Sequence, residues 1–166
     1  MGIYLNPENV DFQKSLNSEI YIDKTELIAY TNKKLNTEQG YICVSRPRRF
    51  GKSMAANMLT AYYSRGCDSR KLFQGLKIAT HPDFEKHLNQ YNVIHLNMQN
   101  FLSKTQTIEQ MIALVTKAVG RDLLRAYPDV DYLDKTILTF MLDDIYQDCQ
   151  VPFIFIIDEW DCIFRS

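Results

Sequence analysis

No run of apolar residues in this chain is long enough to cross a bilayer. The longest, Val151 to Ile157, spans seven positions, whereas a spanning helix needs about 20; no membrane partner is expected. The amino terminus, Met1-Gly2-Ile3-Tyr4-Leu5-Asn6, lacks the basic region and apolar stretch of a signal peptide. Asn6 also stands where N-myristoylation at Gly2 would want Ser or Thr. An excess of charge of one sign is missing too. Nineteen basic residues face 20 acidic ones, a net charge of −1, which argues against a surface devoted to nucleic acid and leaves room only for a local basic patch. Histidine is scarce, and His81, His87 and His95 show no metal-ligand spacing, so a zinc site is not expected. The four cysteines (Cys43, Cys67, Cys149, Cys162) form no C-x-x-C pair. They read as reduced thiols of a cytoplasmic protein. Internal repeats and low-complexity linkers are absent. What is present is a 166-residue chain that is 46% hydrophobic. That is enough for one domain, which at this size buries about 70% of its unfolded surface.

The patterning alternates between strand and helix. Ile20 to Ile22 reads as extended. Asp23-Lys24-Thr25-Glu26 has the spacing of a capping box and predicts a helix from about Lys24 to Lys34. Tyr41-Ile42-Cys43-Val44 lies between Gly40 and a proline-containing loop and reads as a short strand. A helix follows to about Ser64, with Ala55, Met58, Leu59 and Tyr62 on one face and Gly66 suited to its carboxyl cap. Val93 to Met98 reads as a second strand. Thr107 to Ala126 predicts a long helix with a stripe of Ile108, Met111, Ile112, Val115, Val119 and Leu123, stopped by Pro128. Another helix is expected from Tyr132 to Asp148, with Leu133, Ile137, Met141 and Ile145 inward. Phe153 to Ile157 is a near-continuous apolar run, the pattern of a strand buried on both faces of a parallel sheet. The expected class is an α/β sandwich with a mainly parallel sheet. Ligands in such sheets bind at the carboxyl ends of strands.

Two motifs fall at such ends. The first is Arg46-Pro47-Arg48-Arg49-Phe50-Gly51-Lys52-Ser53, between a predicted strand and a predicted helix. Gly51 lets backbone approach a phosphate, and the helix start directs positive potential at it. Lys52 is placed to reach the β and γ phosphates, and Ser53 to bind Mg²⁺ through its hydroxyl. The pattern is that of a P-loop with one departure. The first glycine of G-x-x-x-x-G-K-[ST] is replaced by Arg46, followed by Pro47, so the front of the loop must turn differently. Three arginines crowd it. Either one of Arg46, Arg48 and Arg49 pairs with phosphate oxygens, or they pair with nearby carboxylates. The second motif is the apolar run ending in Asp158-Glu159, 106 residues after Lys52. This is the Walker B pattern: Asp158 for Mg²⁺, Glu159 as general base towards the attacking water. Asp161 is a weaker third acid that caps or turns the chain. Trp160, beside the acids, either packs or stacks on a base.

These stretches resemble a known family, the bacterial AAA-ATPase-like proteins that often carry a PD-(D/E)XK-type nuclease domain in their carboxyl-terminal part. The resemblance rests on Tyr21-Ile22-Asp23-Lys24-Thr25, on Ser45 to Met54 including R-P-R-R-F-G-K-S, and on Ile156-Ile157-Asp158-Glu159-Trp160-Asp161. It makes Arg46 a family feature. It implies a P-loop NTPase sandwich in which ATP is held by Arg48, Arg49, Phe50, Gly51, Lys52, Ser53 and Met54. Ser53 and Asp158 would bind Mg²⁺, and Glu159 with Lys52 would be catalytic. On this reading residues 1–39 are a helical segment packed on a core formed by residues 40–166. The family's order would insert one more strand, from later sequence, between Tyr41–Val44 and the Walker B strand. Residues 1–166 alone are therefore expected to hydrolyse ATP negligibly and to associate through an exposed strand edge. Mg-dependent ATP hydrolysis in the complete protein, coupled to DNA through a nuclease region, is the leading expectation. A P-loop kinase and a nucleotide-binding module without turnover are the alternatives.

Overall fold

The computed structural model describes residues 2–45 and 51–164. Arg46, Arg48, Arg49 and Phe50, named above as nucleotide ligands, lie outside the described residues. Three helices come first: α1 (Val10–Leu16), α2 (Glu26–Asn32) and α3 (Lys52–Tyr63). A short α4 (Arg70–Phe73), a 3-10 turn (Lys77–Thr80) and α5 (Phe84–His87) lead into β1 (Asn92–Asn97). Then α6 (Met98–Leu102), α7 (Ile108–Ala126) and α8 (Leu138–Cys149) precede β2 (Phe153–Asp158), and a 3-10 helix (Trp160–Phe164) follows it.

The two strands pair in parallel, from Asn92 opposite Phe153 to Asn97 opposite Asp158. Parallel neighbours need a long crossover between them, and α6 to α8 supply it. The class is mixed α/β, as expected, but among the described residues the sheet has two strands rather than three. Tyr41–Val44 forms no strand; residues 41–45 hold no regular structure, and Tyr41 is 99% exposed. A strand needs a neighbour for its N–H and C=O groups, and neither named strand takes this segment. The far edge of β1 is occupied by the amino terminus instead. Leu5 bridges Ile94 antiparallel, Asn6 N–H donates to the Val93 carbonyl at 2.7 Å, and His95 N–H donates to the Tyr4 carbonyl at 3.0 Å.

Alternation along the strands divides the core in two. Val93, Ile154 and Ile156 face α1 to α3, among Phe12, Met58, Tyr62 and Phe73. Ile94 and Leu96 face α6 to α8, among Met111, Val119, Leu123, Met141 and Ile145. Phe155 and Ile157 share that second face, opposite Ile94 and Leu96, yet are 44% and 47% exposed. The expectation that β2 is buried on both faces is corrected accordingly.

Local chemistry adjusts the element ends. Asp23 does not close a capping box. Its carboxylate accepts from the N–H and hydroxyl of Thr25 and from the N–H of Lys77, so α2 starts at Glu26. The helix predicted from Tyr132 begins only at Leu138. Asp134 takes the N–H and hydroxyl of Thr136 in a local turn that competes with helix, and Leu133 and Ile137 are exposed. On α7, Met111, Val119 and Leu123 are buried, but Ile108 and Ile112 lie at the solvent edge of the stripe. Its start is fixed reciprocally: Thr107 Oγ accepts from Gln110 N–H, and the Gln110 side chain accepts from Gln106 N–H. On α3 the buried face holds Ala56, Met58, Thr60, Ala61, Tyr62 and Tyr63. The predicted inward positions Ala55 and Leu59 are only partly buried.

Gly66 does not cap α3, whose last residue is Tyr63 with Ser64 extended beyond it. A β-carbon on Gly66 would lie 2.4 Å from the Asn6 carbonyl oxygen. The glycine is needed for close approach of two backbones. Gly66→Ala should therefore destabilise the protein by about 1–3 kcal/mol, the usual range for forced overpacking. Urea unfolding would measure it, and an unchanged midpoint would mean that the amino-terminal segment yields freely.

Candidate functional site

The first turn of α3 and the carboxyl end of β2 meet. α3 packs on both strands, which brings Ser53 and Asp158 together although 105 residues separate them. Ser53 Oγ donates to Asp158 Oδ2 at 2.6 Å. The other carboxylate oxygen of Asp158 accepts the N–H of Glu159 at 2.9 Å. Asp158 is 8% exposed, so its carboxylate is oriented by these contacts rather than by bulk water.

Gly51 precedes α3 with φ 77° and ψ 23°, in the left-handed region. Glycine takes this conformation without a steric cost, and it lets the loop swing directly into the helix. Lys52 is the first helical residue and is half-buried; Ser53 and Met54 are exposed. The first intrahelical bond in this turn runs from Ala55 N–H to the Gly51 carbonyl at 3.0 Å. The N–H groups ahead of it are the ones a helix leaves without intrahelical partners, and they make the helix start attractive to anions.

Glu159 has φ 54°, a region uncommon for a residue with a side chain. The chain therefore turns sharply at the end of β2, between the two acids. Trp160 is 47% exposed and meets Phe164 edge-on, with ring centroids 6.2 Å apart. Asp161 lies in the first turn of the 3-10 helix. On the neighbouring strand, burial pushes His95 below the ordinary imidazole range, against the opposing pull of the Asp158 and Asp11 charges. It is a neutral ring at pH 7.

Of the predicted site residues that are described, Gly51, Lys52, Ser53 and Met54 are contiguous at the start of α3. Asp158 and Glu159 are contiguous at the end of β2, and the Ser53–Asp158 hydrogen bond joins the two groups. The sequence reading assigned no task to Lys24. Its signal was the Asp23-Lys24-Thr25 triplet, whose outer residues are tied to the 3-10 turn.

Among the described residues no group of three or more His, Cys, Asp or Glu side chains could hold a metal ion. Magnesium does not require such a cluster. It is usually bound by one or two protein oxygens, completed by phosphates and water. The Ser53 hydroxyl and the Asp158 carboxylate, in direct contact, are two hard oxygen donors of that kind. No helix among the described residues is long and apolar enough to cross a membrane.

Neither a curated protein nor a solved structure matches the chain. A family model does: the one described as Predicted AAA-ATPase matches residues 10–165. That span takes in the Asp23-Lys24-Thr25 triplet, the start of α3 and the acids after β2, and the chain belongs to this family of predicted AAA-ATPases.

Proposed function

We propose that this chain binds ATP with Mg²⁺ at the junction of α3 and β2 and supplies the groups for hydrolysing the γ-phosphate. The observation that carries the reading is the 2.6 Å hydrogen bond between Ser53 and Asp158. It unites the serine of a G-K-S triplet with the acid at the end of an apolar strand. Gly51, Lys52, Ser53 and Met54 cradle the phosphates, Lys52 by charge and the helix start by its N–H groups. Arg48, Arg49 and Phe50, immediately before Gly51 in the sequence, are assigned to the same nucleotide. Ser53 and Asp158 are the residues that would hold Mg²⁺, which would supply charge neutralisation at the phosphate oxygens. Glu159 accepts a proton from the attacking water.

A phosphotransferase would need an acceptor pocket beside these residues. One cavity among the described residues, about 490 Å³, is lined by Gly2, Ile3, Glu8, Asp122, Arg125 and Ala126 instead. Glu159, the acid that follows Asp158 and would take a proton from water, favours ATP hydrolysis over transfer. The proposed function stops at the nucleotide, since no feature of the described residues favours DNA or a second copy.

Mg-ATP at a hundred times its Kd should stabilise the folded protein by about 2.7 kcal/mol. Lys52→Ala should remove most of that gain, a charge-assisted contact being worth about 1.5–3 kcal/mol. Melting curves with and without Mg-ATP test both statements. Equal shifts for wild type and Lys52→Ala would refute the phosphate assignment.

A further inference from the structure

The segment before α2 carries a second cation to the same place. A β-carbon built on Gly51 would stand 2.8 Å from Lys24 Nζ, so the ammonium lies directly against the glycine that opens α3. Gly51 and Lys24 are 27 positions apart in the sequence, and nothing in the spacing of the P-loop pattern anticipates the contact.

The residues on either side of Lys24 explain why it is held there. Asp23 accepts three hydrogen bonds: from the Thr25 N–H at 2.8 Å, the Thr25 hydroxyl at 2.6 Å and the Lys77 N–H at 2.8 Å. Burial opposes ionisation of Asp23, but these hydrogen bonds outweigh it and hold its carboxyl below the usual carboxylate range. Thr25 is fully buried, and its hydroxyl oxygen accepts from the Ile78 N–H at 3.1 Å. The backbone on both sides of Lys24 is thus fastened to the 3-10 turn at Lys77–Thr80. Of the three side chains in the triplet, two point inward and serve as anchors. Lys24 is the exposed one, and it reaches Gly51.

We propose that Lys24 is a second phosphate-binding cation of the nucleotide site, positioned by Asp23 and Thr25 and acting beside Lys52. The inference rests on the nucleotide reading given above and adds a residue to it. Glycine at position 51 leaves the phosphate open to backbone on one side. An ammonium against that glycine adds charge where the α3 N–H groups already favour an anion. Two lysines from separate segments also compensate for a loop that lacks the first glycine of the usual pattern.

Mg-ATP, ADP and inorganic pyrophosphate should be titrated calorimetrically onto wild type, Lys24→Met, Lys24→Arg and Lys52→Ala. Lys24→Met should bind all three about tenfold more weakly, as expected for loss of one charge-assisted contact at a partly exposed site. Lys24→Arg should recover most of the affinity. Wild-type affinity in Lys24→Met, with Lys52→Ala weakened, would overturn this proposal and leave the nucleotide site standing. Equal loss of affinity in Lys24→Met and Lys24→Arg would show that the charge is not what acts there, and would also overturn it. A wild-type protein that binds none of the three ligands would sink both readings.

Discussion

Asp122→Ala should destabilise the protein by about 3–4 kcal/mol, a large share of the 5–15 kcal/mol typical of whole domains. Asp122 is 4% exposed on α7. One of its oxygens accepts the backbone N–H groups of Tyr4 at 2.7 Å and Leu5 at 3.2 Å. Hydrogen bonds to a charged acceptor are each worth about 1.5–3 kcal/mol, and a buried donor left without a partner adds its own desolvation penalty. The loss would spread to β1, because Tyr4 and Asn6 hydrogen-bond its edge. Asp122→Asn keeps one acceptor oxygen and should recover part of the stability. Urea unfolding at constant slope is the measurement, and a loss below about 1 kcal/mol would show that Asp122 is not what holds the amino terminus.

The second large effect concerns metal. On the proposed reading, Asp158→Asn should lower Mg²⁺ affinity in the presence of ATP by about 10²-fold. Even residues that only support metal ligands change affinity 10- to 100-fold when altered. Asparagine keeps one acceptor oxygen for the Glu159 N–H, and its amide can donate to the Ser53 hydroxyl oxygen in place of accepting from it, so the change removes the charge at nearly constant shape. Titrating ATP at several Mg²⁺ concentrations gives the coupling. Wild type should gain affinity with magnesium and the variant should not. An undiminished magnesium dependence in Asp158→Asn would exclude this carboxylate as a ligand.

Much of the site can be read from the sequence because its parts are local. A phosphate-binding Gly51-Lys52-Ser53 would have to start a helix, and α3 begins at Lys52. The apolar run to Ile157 must end in acids, and β2 ends at Asp158. The helical reading of 107–126 succeeded for the same reason: a helix satisfies its own backbone, and its stripe depends only on periodicity. Strands differ. Tyr41-Ile42-Cys43-Val44 has strand composition, but composition says nothing about whether a neighbour is there to pair with. The exposure of Phe155 and Ile157 is the same kind of failure, since burial of a face depends on what lies opposite it. Lys24 was missed because its contact with Gly51 joins positions 27 apart, and a glycine gives no side-chain signal of such a contact. Asp122 was missed because a single acid within an amphipathic helix reads as part of a solvated face. Only the arrival of residues 2–6 turns that acid inward.

The tie between the amino terminus and α7 also sets an order of events during synthesis. Tyr4 and Asp122 are 118 positions apart. At about 5–20 residues per second, the ribosome makes the second roughly 6–24 s after the first. For most of that interval β1 (Asn92–Asn97) has not been made, and for the remainder the strand is there without the carboxylate that ties the segment down. The earlier-made segment is therefore secured only once the later one has been made. Until then β1 offers an open edge to any extended segment nearby, including one from another nascent chain.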